Sequence, residues 1–326
     1  MNFARLLADF FSLPYRAGFQ LWKFVTLHRR RPHIPAYTIS VGNLTVGGSG
    51  KTPFVIELAH ELKKRGIKFA VISRGYMRKS RGLVSIGPGE QPDVRALGDE
   101  PALIYRKLNG RIPIVVESDR FRAGKHAVEK FDVEAVLLDD AFQHLKILHD
   151  YVILLLNVDD VEGGALLPFG RFREPLSALK RADLIVVNYR HREFDDRQFN
   201  FGITPYIRMR YRLKLPVAAG TKAFVFAGIA RPTEFIGMLE RAGIEVVGYR
   251  RFRDHRWYSE RTVRSILKKA EKHGADVILT TEKDFIRLSN PPDVIKPVEL
   301  IAEIENIEHI ASILTSKIMA FRRIGT

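Results

Sequence analysis

The run Val41-Gly-Asn-Leu-Thr-Val-Gly-Gly-Ser-Gly-Lys-Thr-Pro53 sets a lysine and a threonine directly behind a glycine-rich stretch. Glycines let backbone N–H groups close around phosphate oxygens, the Lys51 ammonium adds a cation, and the Thr52 hydroxyl can reach Mg²⁺. This is the end of a Walker A motif, and Thr45, Val46, Gly47, Gly48, Ser49, Gly50, Lys51 and Thr52 are its expected phosphate cradle. One position departs from G-x-x-x-x-G-K-[ST]: Thr45 stands at the first glycine, so the loop's entry must tolerate a β-branched residue. A phosphate loop also needs a carboxylate at the end of a neighbouring strand to hold magnesium and its waters. Val136-Leu-Leu-Asp-Asp140 has that form, with Asp139 as the expected carboxylate and Asp140 its companion. Alone, two aspartates after a strand read as a solvated turn; downstream of a phosphate loop they read as a metal site. His144 follows at the same edge, able to touch a phosphate or to pair with Asp140.

These residues need a scaffold that ends strands at one edge. An apolar, β-rich run over 37–41 stops at Gly42, and Phe54, Val55, Leu58, Ala59 and Leu62 then mark one helix face. Lys63, Lys64 and Arg65 suit the negative end of that helix, and Gly66 is placed to end it. Further apolar runs at 69–72, 114–116, 133–138, 152–156 and 184–187 alternate with helical or loop-like text. That pattern predicts an α/β sandwich with a largely parallel sheet covered on both faces, as in P-loop NTPases. Residues 189–215 turn polar, aromatic and basic and read as a joint. A second, smaller α/β series follows, with strands at 223–227, 245–249, 277–280 and 298–301 and helices starting near Pro232, Ser259 and Ile307. The expected organisation is therefore an N-terminal segment over 1–32, a P-loop unit over 33–190, a linker over 191–220 and the smaller unit over 221–326.

Composition narrows the chemistry. With 326 residues and 46% hydrophobic content the chain is long enough for two cored units. A formal charge of +16 favours phosphate-bearing partners: nucleotide, nucleic acid or anionic lipid. With no cysteine, disulfides, thiolate-held zinc and thiol catalysis are excluded, so a metal must be held by oxygen or imidazole. At the N-terminus, Phe3, Leu6, Leu7, Phe10 and Phe11 recur at helical spacing, but Arg5, Asp9, Pro14, Arg16 and Lys23 interrupt before a spanning length is reached. No small-residue cleavage site follows a continuous apolar core. The segment reads as an amphipathic helix that either docks on the protein's own core or lies among lipid headgroups.

Read together, the blocks resemble the lipid A 4′-kinase (tetraacyldisaccharide 4′-kinase) family. They are Ser40-Val-Gly-Asn-Leu-Thr-Val-Gly-Gly-Ser-Gly-Lys-Thr-Pro53, Ser73-Arg-Gly-Tyr76, Gly98-Asp-Glu-Pro101, Asp139-Asp-Ala-Phe-Gln-His144, Leu167-Pro-Phe-Gly-Arg-Phe-Arg-Glu-Pro175, Phe226-Ala-Gly-Ile-Ala-Arg-Pro232, Asp254-His255 and Thr280-Thr-Glu-Lys-Asp284. The resemblance implies ATP- and Mg²⁺-dependent phosphorylation of the 4′-hydroxyl of an acylated glucosamine disaccharide 1-phosphate. It also implies two α/β/α units with a short β linker, at the cytoplasmic face of the inner membrane. It places Asp99 at the acceptor hydroxyl with His255 as partner; local chemistry alone reads them as a helix cap and a loop histidine. Lys51 and Asp139 complete the expected catalytic set, and Thr52, Asp139, Asp140 and Glu174 the metal set, although Glu174 could equally cap the helix after Pro175. Arg74, Arg120, Arg171 and Arg173 suit phosphate oxygens; Asn43, Glu100 and Gln143, inside or beside the matched blocks, join them as expected substrate contacts. Three departures stand out: Ala141 replaces the family's usual glycine, Arg253 its common proline, and Arg256-Trp257 intervenes before Tyr258.

Two other classes fit parts of the sequence. A regulatory GTPase needs an N-K-x-D element, and Thr281-Glu-Lys-Asp284 has its lysine and aspartate adjacent instead. A nucleic-acid-binding ATPase would explain the charge, but the aromatic residues are not interleaved with arginine along a groove. The expected partners are therefore the acylated disaccharide and an anionic membrane surface, with no nucleic acid and no obligate protein partner.

Overall fold

The computed structural model describes residues 18, 25–76, 78, 80–158, 166–167, 169–190 and 201–324. The amphipathic pattern of Phe3 to Phe11 and the most polar part of the expected joint, 191–200, fall outside them. In chain order the first half runs β1 (Tyr37–Asn43), α1 (Lys51–Lys64), β2 (Phe69–Ser73), β3 (Val84–Ile86), α2 (Val94–Leu97), α3 (Asp99–Lys107), β4 (Ile114–Val116), α4 (Arg120–Phe131), β5 (Ala135–Asp139), β6 (Tyr151–Asn157), a 3₁₀ turn (Leu176–Arg181) and β7 (Leu184–Arg190). The second half runs β8 (Tyr206–Lys214), β9 (Lys222–Ala227), α5 (Pro232–Arg241), β10 (Glu245–Arg251), α6 (Glu260–Lys272), β11 (Val277–Thr281), α7 (Glu282–Phe285), β12 (Ile295–Ile304) and α8 (Ile307–Ile324).

All twelve strands join one sheet in the order β10-β9-β11-β12-β8-β7-β6-β1-β5-β2-β4-β3. Pairing is parallel except at β3 with β4 and β8 with β12. β1 lies between β5 and β6 and is buried along its whole length, so that Thr38, Ser40 and Asn43 are as buried as its apolar Tyr37, Ile39 and Val41. The chain leaves β1 at a topological switch, since β5 and β6 flank it on opposite sides, and the phosphate loop sits there. Helix α1 buries Phe54, Val55, Leu58, Ala59 and Leu62 as its periodicity predicts. Gly66, at φ 74°, turns the chain away behind the helix.

The span expected as a linker contains β8, in line with the short β linker that the resemblance implied; the local pattern did not reveal the strand because it is two-faced. Ile207 and Met209 point into the core, while Arg208, Arg210, Arg212 and Lys214 occupy the alternate positions. Two neighbouring carboxylates on β12 answer these cations: Glu303 accepts from Arg210 at 2.5 Å and from Arg212 at 3.0 Å, and Glu299 from Lys214 at 3.2 Å. Such a ladder reads as polar loop in the sequence and as a half-solvated strand in the fold. β12 joins the two halves: its residues 295–298 pair with β11 and 299–304 with β8. Within the span 221–326, α8 packs against the first half, where Ile310, Ala311, Leu314 and Ile318 share a core with Leu58 and Leu62 of α1.

Candidate active site

The phosphate loop bends through left-handed backbone at Gly47 (φ 97°) and Gly50 (φ 90°), which only glycine adopts without strain. A side chain at Gly50 would also drive into Tyr211 Oη, Met209 and Asn188, which back the loop from β7 and β8. Asn188 Nδ2 donates to the Ser49 carbonyl at 3.2 Å and to Tyr211 Oη at 2.8 Å. On the other side the segment 171–173 straps the loop: Val46 N donates to the Arg171 carbonyl at 2.8 Å, Arg173 N to the Leu44 carbonyl at 2.7 Å, and Thr45 bridges Phe172. That bridge explains Thr45. The loop's entry is extended, pleated backbone, which a β-branched residue favours where a glycine is more usual.

Lys51 Nζ donates to Asn43 Oδ1 at 3.0 Å and lies 3.3 Å from Asp140 Oδ1. Asp139 ends β5 level with Val41 of β1 and is buried; Ser73 Oγ reaches its Oδ2 at 3.5 Å, and its Oδ1 has no hydrogen-bond partner. Burial first, then the nearby charges of Glu100 and Asp140, raise its pKa well above the ordinary carboxylate range. Asp140 behaves oppositely: although burial opposes it, Lys51 and Arg173 hold its pKa low. Asp140 makes the left-handed turn (φ 51°) and Ala141 does not, so the alanine at 141 is accommodated without strain.

These residues fit a magnesium ion. An orphaned buried carboxylate oxygen and a threonine hydroxyl at a helix N-terminus are hard oxygen donors, and Mg²⁺ keeps waters and phosphate oxygens for its remaining positions. Among the described residues no cluster of three or more His, Asp or Glu side chains could form an all-protein cage. Asp140 is tied to Lys51 and Arg173 and supports the site from beside it. Glu174, expected as a metal ligand, is fully buried with both oxygens accepting from Arg181 Nη2 at 2.7 and 2.6 Å, so serving a metal would strand that arginine. Arg181 in turn stacks on Phe142, 4.2 Å from the ring centroid.

The remaining expected residues divide by what they touch. Arg171 Nη2 donates to the Val46 carbonyl at 2.7 Å, which makes it a support of the loop. Gln143 Nε2 donates to the Asn43 carbonyl at 2.9 Å and its Oε1 accepts from Arg173 at 3.3 Å. Arg120, at the start of α4, is buried with Nη1 on the Glu117 carbonyl and Nε unpartnered; it lies close enough to Asp139 and Asp140 to feel both charges. Arg74 is exposed at the end of β2. Burial, then the Arg120 charge, push His144 down to about 4, so its ring is neutral at pH 7.

Asp99 is the first residue of α3, and Gly98 is the N-cap. Its Oδ1 accepts from Glu100 N at 2.9 Å; its Oδ2 accepts from His255 Nδ1 at 2.9 Å and from Arg287 through both Nε, at 2.9 Å, and Nη2. His255 reaches across from the loop after β10 at φ 58°, with its backbone N–H on Asp254 and its ring edge-on to Tyr76 at 5.5 Å. Glu100 pairs with Lys283 of α7. The Arg256-Trp257 insertion leaves Tyr258 free to reach the buried Asp284 at 2.7 Å.

The LpxK family, tetraacyldisaccharide-1-P 4′-kinase, matches residues 4–318. The chain belongs to the tetraacyldisaccharide 4′-kinase family. It is 36% identical over 316 residues to the tetraacyldisaccharide 4′-kinase of Syntrophus aciditrophicus, covering 87% of this chain and 84% of that one. To that of Geobacter sulfurreducens it is 38% identical over 273 residues, covering 79% and 76%. A crystal structure of LpxK from Aquifex aeolicus in complex with ATP superposes with a TM-score of 0.73 at 31% identity, over 97% of this chain and 96% of that one. Members of the family are ATP-dependent kinases of a lipid disaccharide, and a phosphate loop at the end of a parallel strand is a part that such a reaction requires.

The sequence reading missed several residues of this 4′-kinase site. Asn188 and Tyr211 lie on the strands that back the loop, far away in sequence. Arg287, Asp284 and Lys283 lie in and just after a block noticed for its pattern alone. Asp284 and Arg287 are three apart, the spacing that puts two side chains on one helical face, and this was the available signal.

Proposed function

We propose that this protein transfers the ATP γ-phosphoryl group to the 4′-hydroxyl of a tetraacyldisaccharide 1-phosphate, using Lys51, Thr52 and Asp139 at the donor and the Asp99–His255 pair at the acceptor. One observation carries the assignment: His255 from the second half holds Asp99 at 2.9 Å, while Glu100, the next residue, lies close enough to Asp139 to perturb it. Acceptor and donor groups thus meet at one sheet edge.

Magnesium, when bound, screens the β- and γ-phosphate oxygens and aligns them. Backbone N–H groups of the loop and the α1 N-terminus face the phosphate oxygens, and Lys51 neutralises the charge that spreads over them in a loose transition state. The acceptor oxygen bonds to the γ-phosphorus as the bond to the β-phosphate oxygen breaks. His255 Nε2 takes the hydroxyl proton, and Asp99, fixed on Nδ1, orients the ring and stabilises its protonated form. Asp99 itself is a poor base: burial would raise its pKa, but the His255 hydrogen bond and then the Arg287 charge more than offset this and hold it below the ordinary range. Arg120, Arg74 and neutral His144 are placed to take phosphate oxygens of the donor or of the acceptor's 1-phosphate.

The substrate's acyl chains keep it in a bilayer, so the protein works at a membrane surface, here taken as the cytoplasmic face of the inner membrane. Among the described residues no helix is long and apolar enough to cross one.

A transfer assay with the dispersed disaccharide and ATP tests the reading. Lys51→Ala and Thr52→Ala should each lower turnover by about 10² or more. Asp99→Asn should retain nucleotide binding and lose transfer, whereas Asp139→Asn should shift the magnesium dependence. Unchanged magnesium dependence in Asp139→Asn would remove it from the donor side.

A further inference from the structure

Arg287 is the largest fully buried side chain among the described residues. An arginine without solvent must have every donor answered by charge or carbonyl, and the partners it takes indicate what it does. Its Nε and Nη2 both hold Asp99 Oδ2, and its Nη1 donates to Asp284 Oδ1 and to the Gly228 carbonyl, each at 3.2 Å. Asp284 is itself a hub, accepting from Gly228 N at 3.0 Å, Tyr258 Oη at 2.7 Å and Thr281 Oγ1 at 2.7 Å. Arg287 therefore ties the acceptor carboxylate on α3 to a rigid knot formed by β9, β11, α7 and the α6 approach. His255 enters from the same half, so both groups that grip Asp99 are set by one body.

We infer that Arg287 is a positioning residue of the transfer reaction: it fixes the Asp99 carboxylate so that His255 Nδ1 is held and Nε2 faces the acceptor. The inference rests on the Asp99–His255 assignment above. A guanidinium suits this task where an ammonium does not, because its planar fork holds a carboxylate at a set angle while a third nitrogen reaches a second acid. The fork also crowds one oxygen. With Oδ2 taken by Arg287 and His255 and Oδ1 by the Glu100 amide, the carboxylate has no freedom to rotate toward the substrate and acts through the histidine.

A structural role and a positioning role separate in the pH profile. The groups that face His255 are Asp99, Arg287, Asp254 and the Tyr76 ring; those that face Asp99 are His255, Arg287, Lys283 and Glu100. Arg287 is the cation that opposes protonation of His255, so its removal leaves the imidazolium better stabilised. In Arg287→Met, kcat should fall about 10²-fold, the scale of a misplaced catalytic group. The acid limb of the profile should move to higher pH. In Arg287→Lys, which keeps the charge and loses the fork, kcat should fall while the limb stays. KM for ATP should stay within twofold in both. Wild-type kcat in Arg287→Lys, or a loss in Arg287→Met that follows the folded fraction with the acid limb unmoved, would overturn the inference. If Arg287→Met does not fold, Arg287→Lys decides alone: a fall in kcat at constant KM for ATP and full folded fraction supports the role, and any fall that matches lost protein overturns it. His255→Asn with full activity would instead overturn the assignment beneath.

Discussion

At the scale of single residues, the active site works by pushing neighbouring carboxylates in opposite directions. Asp139 is raised by burial and by Glu100 and Asp140, while Asp99 is lowered by His255 and Arg287 against its own burial. The Asp99–His255 pair gives a pH prediction whose sign differs for activity and stability. Asp99 is depressed from its ordinary 3.8, so its contribution is present above that value and fades as pH falls through the lowered one. His255 is raised from 6.5, chiefly by the Asp99 hydrogen bond, so its contribution is complete below 6.5 and fades as pH rises through the raised value. These are two views of one interaction. Turnover needs neutral His255 and should rise over the same interval in which the pair's stabilisation declines. Paired measurements of kcat and of urea midpoint from pH 6 to 9, on the wild type and on His255→Asn, check this; a variant with the wild-type pH profile contradicts it. Asp139 and Asp140 could be picked out in the sequence as strand-terminal aspartates after a phosphate loop, whereas Asp99 and His255 came only through the family resemblance, local chemistry reading them as a helix cap and a loop histidine. Arg287 was not picked out: it lies 188 positions from Asp99, and no local pattern brings them together.

At the scale of elements, continuous apolar runs were read correctly and alternating ones were not. β5 and β6 announce themselves as runs of Val, Ile and Leu, and β1, although it interleaves Thr38 and Ser40, was legible from its place before the phosphate loop. β8 carries arginine on every second position and could be placed only once Glu299 and Glu303 of β12 were seen opposite. The same limit applies to α8, whose start near Ile307 was legible but whose destination was not, since an amphipathic helix does not state which core it will cover. Its position yields a stability prediction. Leu314 is fully buried between α8 and α1 in the core that carries the phosphate loop. Leu314→Ala should cost about 2–5 kcal/mol, the range for an unrelaxed aliphatic cavity. Because α1 begins at Lys51, the loss should appear in nucleotide-dependent protection as well as in global melting. Hydrogen exchange of α1 amides, with and without ATP, measures it. Unchanged protection of α1 would mean that α8 is a detachable appendage.

At the scale of the whole molecule, one sheet unites what the sequence divides in two, and the proposed acceptor carries both phosphate and acyl chains. The +16 charge and the apolar N-terminal pattern then have one explanation in common: an anionic bilayer from which the acceptor cannot cheaply depart. Each CH₂ withdrawn from lipid costs roughly 0.8 kcal/mol, so under the proposed function the enzyme is expected to come to the membrane. Phe3, Leu6, Leu7, Phe10, Phe11, Trp22 and Phe24 are the apolar or interfacial residues available for insertion, and Arg16, Lys23, Arg29, Arg30 and Arg31 can face headgroups, each contributing on the order of 1 kcal/mol at modest salt. These two contributions respond differently to salt, because headgroup attraction is screened within a Debye length and apolar burial is not. Deleting residues up to Leu13 removes the first group's five leading members and keeps every one of those cations. The truncated protein should sediment less with vesicles of anionic phospholipid and should lose its remaining binding steeply as salt rises, whereas the full chain should retain a salt-resistant fraction. Its KM for the lipid acceptor should increase while its affinity for ATP stays the same. Equal vesicle binding at every salt concentration, with an unchanged lipid KM, would assign the segment to the protein's own core and place the membrane contact elsewhere.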